Sequence, residues 1–133
     1  MRPARRHLLG CLLAVLMLGA AAPARAAELL MFELEGCAWC RLWHREIGPA
    51  YPGSSEGRRA PLRIVDIKAG APGVDLVRPV TSSPTFVLVE DGREIGRITG
   101  YPGADFFWGL LDGLLARLEG EPAPRQELGQ RSL

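Results

Sequence analysis

Apolar and polar positions alternate along residues 28–118 in a way that predicts an ordered series of elements. Leu29 to Leu34 reads as a strand buried on both faces. Ala38 to Ile47 reads as a helix, with Cys40, Trp43 and Ile47 on one apolar face and Gly48-Pro49 ending it. Tyr51 to Pro61, rich in Gly, Pro and Ser and carrying Arg58-Arg59, reads as a solvated loop. Leu62 to Ile67 is expected as a second strand in the sheet interior. Gly70, Pro72, Gly73 and Pro79 leave room for only a short helix, from Gly73 to Arg78. Thr85 to Val89 and Glu94 to Thr99 flank Asp91-Gly92, a pair favoured in tight hairpin turns. Gly103 to Leu118 reads as the last helix, capped by Asp105, with Phe107, Leu111, Leu114 and Leu118 as its apolar stripe.

The resulting order is strand, helix, strand, short helix, strand, strand, helix. A right-handed crossover makes the first two strands parallel, and the hairpin makes the last two antiparallel. The expected fold class is α/β: one domain with a mixed four-stranded sheet and helices on both faces. An active site is expected outside the carboxyl end of the first strand.

The flanks change the bookkeeping. Arg2, Arg5 and Arg6 precede an apolar run from Leu8 to Leu18, and Ala24-Arg25-Ala26 has the form of a cleavage site. The run is shorter than the roughly 20 residues of a spanning helix, so residues 1–26 read as a cleaved signal peptide for general secretion. Cys11 lies too early in the run for a lipid-modified cysteine. Removing 26 of the 133 residues leaves 107, enough for one domain. Four of the 16 basic residues go and all 15 acidic ones stay, which brings the formal charge to −3. With no basic block left, nucleic acid is excluded as a partner. Residues 27–118 form the expected domain, and residues 119–133, with Pro122 and Pro124, read as a polar flexible tail.

Export leaves two cysteines, in the segment Cys37-Ala38-Trp39-Cys40 at the junction of the first strand and helix. A two-residue loop constrains the unfolded chain little, whereas a short exposed disulfide is readily reduced and re-formed. A redox role is therefore favoured over a structural one. Cys37, nearest the helix start, is expected to be the attacking thiolate, stabilised by local amides and the helix dipole. Cys40, one turn inside, is expected to be the resolving thiol. Trp39 reads as an apolar lip against the substrate. Zinc sites share the Cys-x-x-Cys spacing, and His44 is a possible third ligand beside Cys37 and Cys40 for copper or zinc. No fourth ligand is evident, so no metal is assigned, but a periplasmic metal carrier stays open as an alternative, as does a disulfide-forming oxidase or isomerase.

A second signature lies downstream. Ser82-Ser83-Pro84-Thr85 leads into Phe86-Val87-Leu88-Val89, with Pro84 44 residues after Cys40, and Gly100-Tyr101 precedes the last helix. With the dithiol, these residues make the chain resemble the thioredoxin superfamily over nearly all of residues 28–118. The resemblance implies thiol–disulfide oxidoreductase activity that needs no cofactor beyond the Cys37–Cys40 redox disulfide. It also implies a cis-proline at Pro84 facing the dithiol, and a substrate-binding surface of Trp39, Ser83, Pro84 and Thr85. Within the superfamily the chain is similar to the SoxS type found in bacterial sulfur-oxidation gene clusters. That implies periplasmic protein substrates with disulfides or modified thiols, a SoxYZ-like sulfur carrier among them, and a membrane thiol-electron transporter as reductant. One departure stands out: six residues before Cys37, where thioredoxins carry a buried acid that moves protons, this chain has Met31. Either Glu33, Glu35 or water takes over, or proton transfer is slower; both glutamates read more simply as solvated strand-end residues.

Overall fold

The computed structural model describes residues 27–120. Residues 1–26, read above as a signal peptide and including Cys11, and nearly all of residues 119–133, read as a polar tail, lie outside the described residues. Four strands are present: β1 (Ala27–Glu33), β2 (Leu62–Asp66), β3 (Thr85–Glu90) and β4 (Arg93–Thr99). The helices are α1 (Ala38–Glu46), α2 (Ser55–Arg59) and α3 (Ala104–Leu115), the last continued by a 3-10 turn, Ala116–Glu119. The sheet order is β2-β1-β3-β4, with β1 parallel to β2 and antiparallel to β3. This is the expected single α/β domain with a mixed four-stranded sheet flanked by helices.

The central strands β1 and β3 alternate their side chains between two apolar clusters, as the period of two in an extended chain requires. Leu29, Met31, Phe86 and Leu88 face one side, where they meet Cys40, Trp43 and Ile47 of α1 and Phe107, Leu111, Leu114 and Leu115 of α3. An aromatic cluster fills this side: the Trp43 ring lies 5.3 Å from Phe86 and 5.6 Å from Phe107, and Phe86 and Phe107 are 4.8 Å apart. Edge-on and tilted contacts at such distances suit aromatic quadrupoles. Gly96 on β4 permits the close seating of α3, since a Cβ there would lie 2.7 Å from both the Leu114 and the Arg117 side chains.

Leu30, Phe32, Val65, Val87 and Val89 face the other side, and among the described residues no helix covers them. An irregular segment does so with Ile67, Ala71, Val74, Leu76 and Val80, which corrects the expectation of helices on both faces. The short helix expected from Gly73 to Arg78 does not form. Its backbone is spent elsewhere. The Asp75 N–H donates to Gly92 O (2.7 Å) and the Glu94 N–H to Asp75 O (3.0 Å). Arg97 and Glu94, on β4, pair at 2.6 Å with side chains only 8% and 3% exposed. Arg97 Nη2 donates to Arg78 O (2.8 Å), and Glu94 Oε2 accepts the Val77 N–H (2.9 Å). A buried ion pair thus straps this segment to the sheet.

Three further expectations are corrected. The β2 strand lies at the edge of the sheet, and only Val65 in it is buried; an outer strand with one neighbour has little apolar surface to cover. The supposed loop from Tyr51 to Pro61 contains a 3-10 turn (Tyr51–Gly53) and α2. It is organised by the buried Tyr51, whose hydroxyl donates to Ala60 O, and by Ser54, whose Oγ accepts the Gly57 N–H. The cap of α3 is Gly103, not Asp105, which lies in the first turn. The hairpin is as expected, with Asp91 and Gly92 both at positive φ (51° and 77°), the backbone of a type I′ turn.

Candidate active site

Glu33 ends β1, and the turn Leu34–Gly36 closes with the Cys37 N–H donating to Leu34 O at 3.2 Å. Gly36 has φ 80°, a conformation that side chains disfavour. This turn delivers Cys37 to the N-cap of α1, where its extended backbone starts the helix and its Sγ accepts the Cys40 N–H at 3.1 Å. A sulfur there takes the place of the usual capping oxygen. The first turn of α1 holds no acid, and its last turn holds His44 and Arg45, so the charges near α1 leave its positive end unopposed.

Cys37 and Cys40 form a disulfide, their Cα atoms 5.3 Å apart. The two sulfurs sit in unlike surroundings. Cys37 is half-buried, whereas Cys40 is 3% exposed and belongs to the aromatic core. Trp39, between them in sequence, is 60% exposed. A concavity of about 200 Å³ opens beside the disulfide, lined by Cys37 and Cys40 together with Glu33, Glu35, Arg41 and His44. His44 Nε2 lies 2.9 Å from Glu33 Oε2. The histidine weighed as a third metal ligand is thus tied to a carboxylate. Among the described residues no three His, Cys, Asp or Glu side chains are grouped so as to hold a metal ion. Met31 is fully buried in the helix-covered cluster.

Pro84 reaches the same end of the sheet from the other direction. Thr85 pairs with Phe32 near the end of β1, which places Ser83 and Pro84 beside the strand end that leads to Cys37. The Ser83–Pro84 peptide bond is cis. Ser83 is half-buried and Pro84 buried. The Thr85 side chain turns inward: its Oγ1 donates to Ser82 O at 2.7 Å, and it is 1% exposed. Pro84 O accepts the Gly100 N–H at 2.8 Å, so the turn before α3 is joined to this loop. Tyr101 in that turn donates its hydroxyl to Glu46 of α1 at 2.6 Å. Burial first, and then Glu46, push its phenol well above the ordinary tyrosine range.

Sequence reasoning missed the Tyr101–Glu46 tie and the Glu94–Arg97 clamp, because each joins residues whose closeness depends on the finished fold. The i, i+3 spacing of Glu94 and Arg97 is no signal in a strand. Only the bulge-like break in register on β4, with Leu88 opposite Gly96 and Val89 opposite Glu94, brings the two charges to one side.

No protein-family model and no curated protein matches the chain. Solved structures do. The periplasmic thioredoxin SoxS from Paracoccus pantotrophus, in its reduced form, is 47% identical over 69% of this chain and 98% of that one, with a TM-score of 0.68. A Fasciola hepatica thioredoxin is 21% identical over 65% of this chain and 79% of its own, with a TM-score of 0.50, a likeness of fold.

Proposed function

We propose that this chain, which belongs to the thioredoxin superfamily and is a thiol–disulfide oxidoreductase, works in the periplasm as a reductant of disulfides or blocked thiols on exported proteins. The observation that carries the reading is the inequality of its two sulfurs. Cys37 is accessible and caps a helix, with an amide N–H aimed at its Sγ; Cys40 is buried behind it. A thiolate is favoured at such a cap and disfavoured in an apolar interior. Cys37 therefore attacks the substrate disulfide, and Cys40 displaces the reduced substrate from the mixed disulfide.

Trp39 supplies exposed apolar surface beside the attacking sulfur. The backbone at Ser83 and Pro84 offers strand-like hydrogen bonds to an extended substrate segment, and Thr85 shapes that loop from inside. Export is supported by the basic and apolar pattern of residues 1–26 and by the likeness to a periplasmic relative. The mature protein then begins near Ala27, carries no lipid, and keeps residues 119–133 as a polar tail. Electrons come from a membrane thiol-electron transporter, and the leading substrate is a SoxYZ-like sulfur carrier, as the likeness to SoxS implies.

The test is a trap. Cys40→Ser keeps attack and loses resolution, so when isolated from the periplasm it should carry a soluble sulfur carrier and a membrane transporter as mixed disulfides on a non-reducing gel. Recovery of many newly exported proteins awaiting disulfides would instead assign an oxidase or isomerase. The reduction potential of the pair is an independent check: about −270 mV fits a reductant and about −120 mV an oxidant.

A further inference from the structure

Resolution of a mixed disulfide begins with loss of the Cys40 proton, and Cys40 is almost inaccessible to bulk hydroxide at 3% exposure. Met31, buried in the same cluster, has no proton to exchange. Two groups that do exchange protons line the concavity next to Cys40: Glu33 at the end of β1, and His44 one helical turn beyond Cys40 on α1. Residues four apart on a helix share a side. The two side chains come from different elements and still meet at 2.9 Å. A carboxylate bonded to one imidazole nitrogen orients the ring, and imidazole as a class is suited to proton transfer.

The geometry points to the Glu33–His44 pair as the proton acceptor for Cys40 in the resolving step. This rests on the reading of Cys37 as the attacking sulfur and Cys40 as the resolving one. In the mixed disulfide Cys37 Sγ is bonded to the substrate sulfur and Cys40 is a thiol. The Cys40 proton passes to the pair through solvent that the concavity of about 200 Å³ admits. The Cys40 thiolate attacks Cys37 Sγ; the Cys37–Cys40 bond forms as the bond to substrate breaks. The electron pair leaves on the substrate sulfur, which takes a proton from solvent. Two electrons have moved from the dithiol to the substrate, with no other oxidant or reductant. In the reverse direction the pair returns the proton to Cys40.

The other charges facing the pair are accounted for. Arg41 and Glu35 are the other charged residues lining the concavity. Asp66 is the partner of Glu33 in the β1–β2 register, and its carboxylate accepts the Lys68 N–H. The Trp43 ring stands edge-on to the imidazole at 5.4 Å. The pair is thus held in place on its inner side and open to solvent on its outer side.

The experiment uses the reduced full chain and a small aromatic disulfide whose thiol product absorbs visible light. The first equivalent of thiol released reports attack by Cys37, and the second reports resolution by Cys40. Glu33→Gln and His44→Gln should each slow the second equivalent by about 10- to 100-fold near pH 6–7 and leave the first unchanged. The difference should shrink as pH rises past the ordinary thiol range of about 8.5, where loss of the proton no longer limits the step, and Glu33→Asp should restore most of the rate. A purely structural role would shift neither the pH profile nor one equivalent alone. Should Glu33→Gln fail to fold, His44→Gln, at a more exposed position, decides by the same profile. Variant profiles that superimpose on the native one overturn the relay and leave the assignment of the cysteines intact. A native chain that releases no second equivalent, or that releases it with Cys40→Ser, overturns that assignment and the relay with it.

Discussion

On one face of the sheet Leu29, Met31, Phe86 and Leu88 meet two helices; on the other, Leu30, Phe32, Val87 and Val89 meet a segment with no helix. The first face is closed by large interlocking aromatics. The second is closed by smaller side chains on a backbone that a buried ion pair holds down. The two closures differ in what they respond to. Apolar packing depends on shape and volume and hardly on pH, whereas the clamp depends on the ionisation of Glu94. The division also separates the parts of the active site. Cys37 and Cys40 ride on α1 over the aromatic face, while Ser83 and Pro84 continue from the strap on the other. The molecule thus keeps its sulfurs against the aromatic core and its Ser83–Pro84 loop next to a polar fastening.

The comparison can be broken at its strong side first. Trp43→Ala should remove about 3–5 kcal/mol of stability, read from denaturant unfolding, because the ring is 0% exposed and touches Phe86, Phe107 and Tyr51. A loss below about 1 kcal/mol would mean that the helix-covered face is not the principal core. On the strapped face, Arg97→Met should cost about 2–4 kcal/mol by leaving Glu94 buried without its partner. The double variant Arg97→Met with Glu94→Leu should recover much of that loss, since an apolar pair satisfies the same space. Failure of the double variant to recover would show that the bonds from Arg97 to the strap backbone, at Arg78 O (2.8 Å) and Pro79 O (3.4 Å), and not the charge pair, secure the strap.

Acid should distinguish the faces without mutation. The hydrogen bonds from Arg97 hold the Glu94 carboxyl below its ordinary range against the opposing effect of burial. Its stabilising contribution is therefore complete above the ordinary carboxylate range and is lost as pH falls through the lowered value. Below about pH 4, exchange of the Val77 amide, which bonds Glu94, should accelerate relative to its intrinsic rate at that pH more than that of amides in α1. Equal acceleration would remove the distinction. The smallest effect belongs to Tyr101→Phe, which deletes the bond to Glu46. It should cost about 1 kcal/mol and impair substrate turnover through the loop after β4 more than it lowers the melting temperature.

Legibility in the sequence follows the same division. The helix-covered face could be read because period-3.6 stripes such as Cys40, Trp43 and Ile47 met period-2 runs such as Leu29 to Phe32, and all three stripe residues are buried. The hairpin could be read because Asp91-Gly92 tolerates positive φ. The strap could not, since residues 69–80 satisfy their backbone through single long-range bonds to Gly92, Glu94 and Arg97, which leave no periodic trace. The edge position of β2 was hidden because apolar content reports burial against a neighbour, and the number of neighbours is a property of topology. Within the site, the dithiol and the Pro84 loop were evident as motifs. The inward turn of Thr85 and the meeting of Glu33 with His44 were not, because both depend on side-chain directions set by the finished fold.

The cap formed by Cys37 has a thermodynamic consequence. The atom that accepts the Cys40 N–H at the start of α1 is also one of the two sulfurs of the disulfide. Helix formation and electron uptake are therefore two legs of one closed cycle: whatever the folded backbone contributes to holding a thiolate at Cys37 is returned as greater stability of the reduced fold over the oxidised one. Measuring unfolding in both redox states would give the amount by which folding shifts the reduction potential of the pair from its value in the unfolded chain.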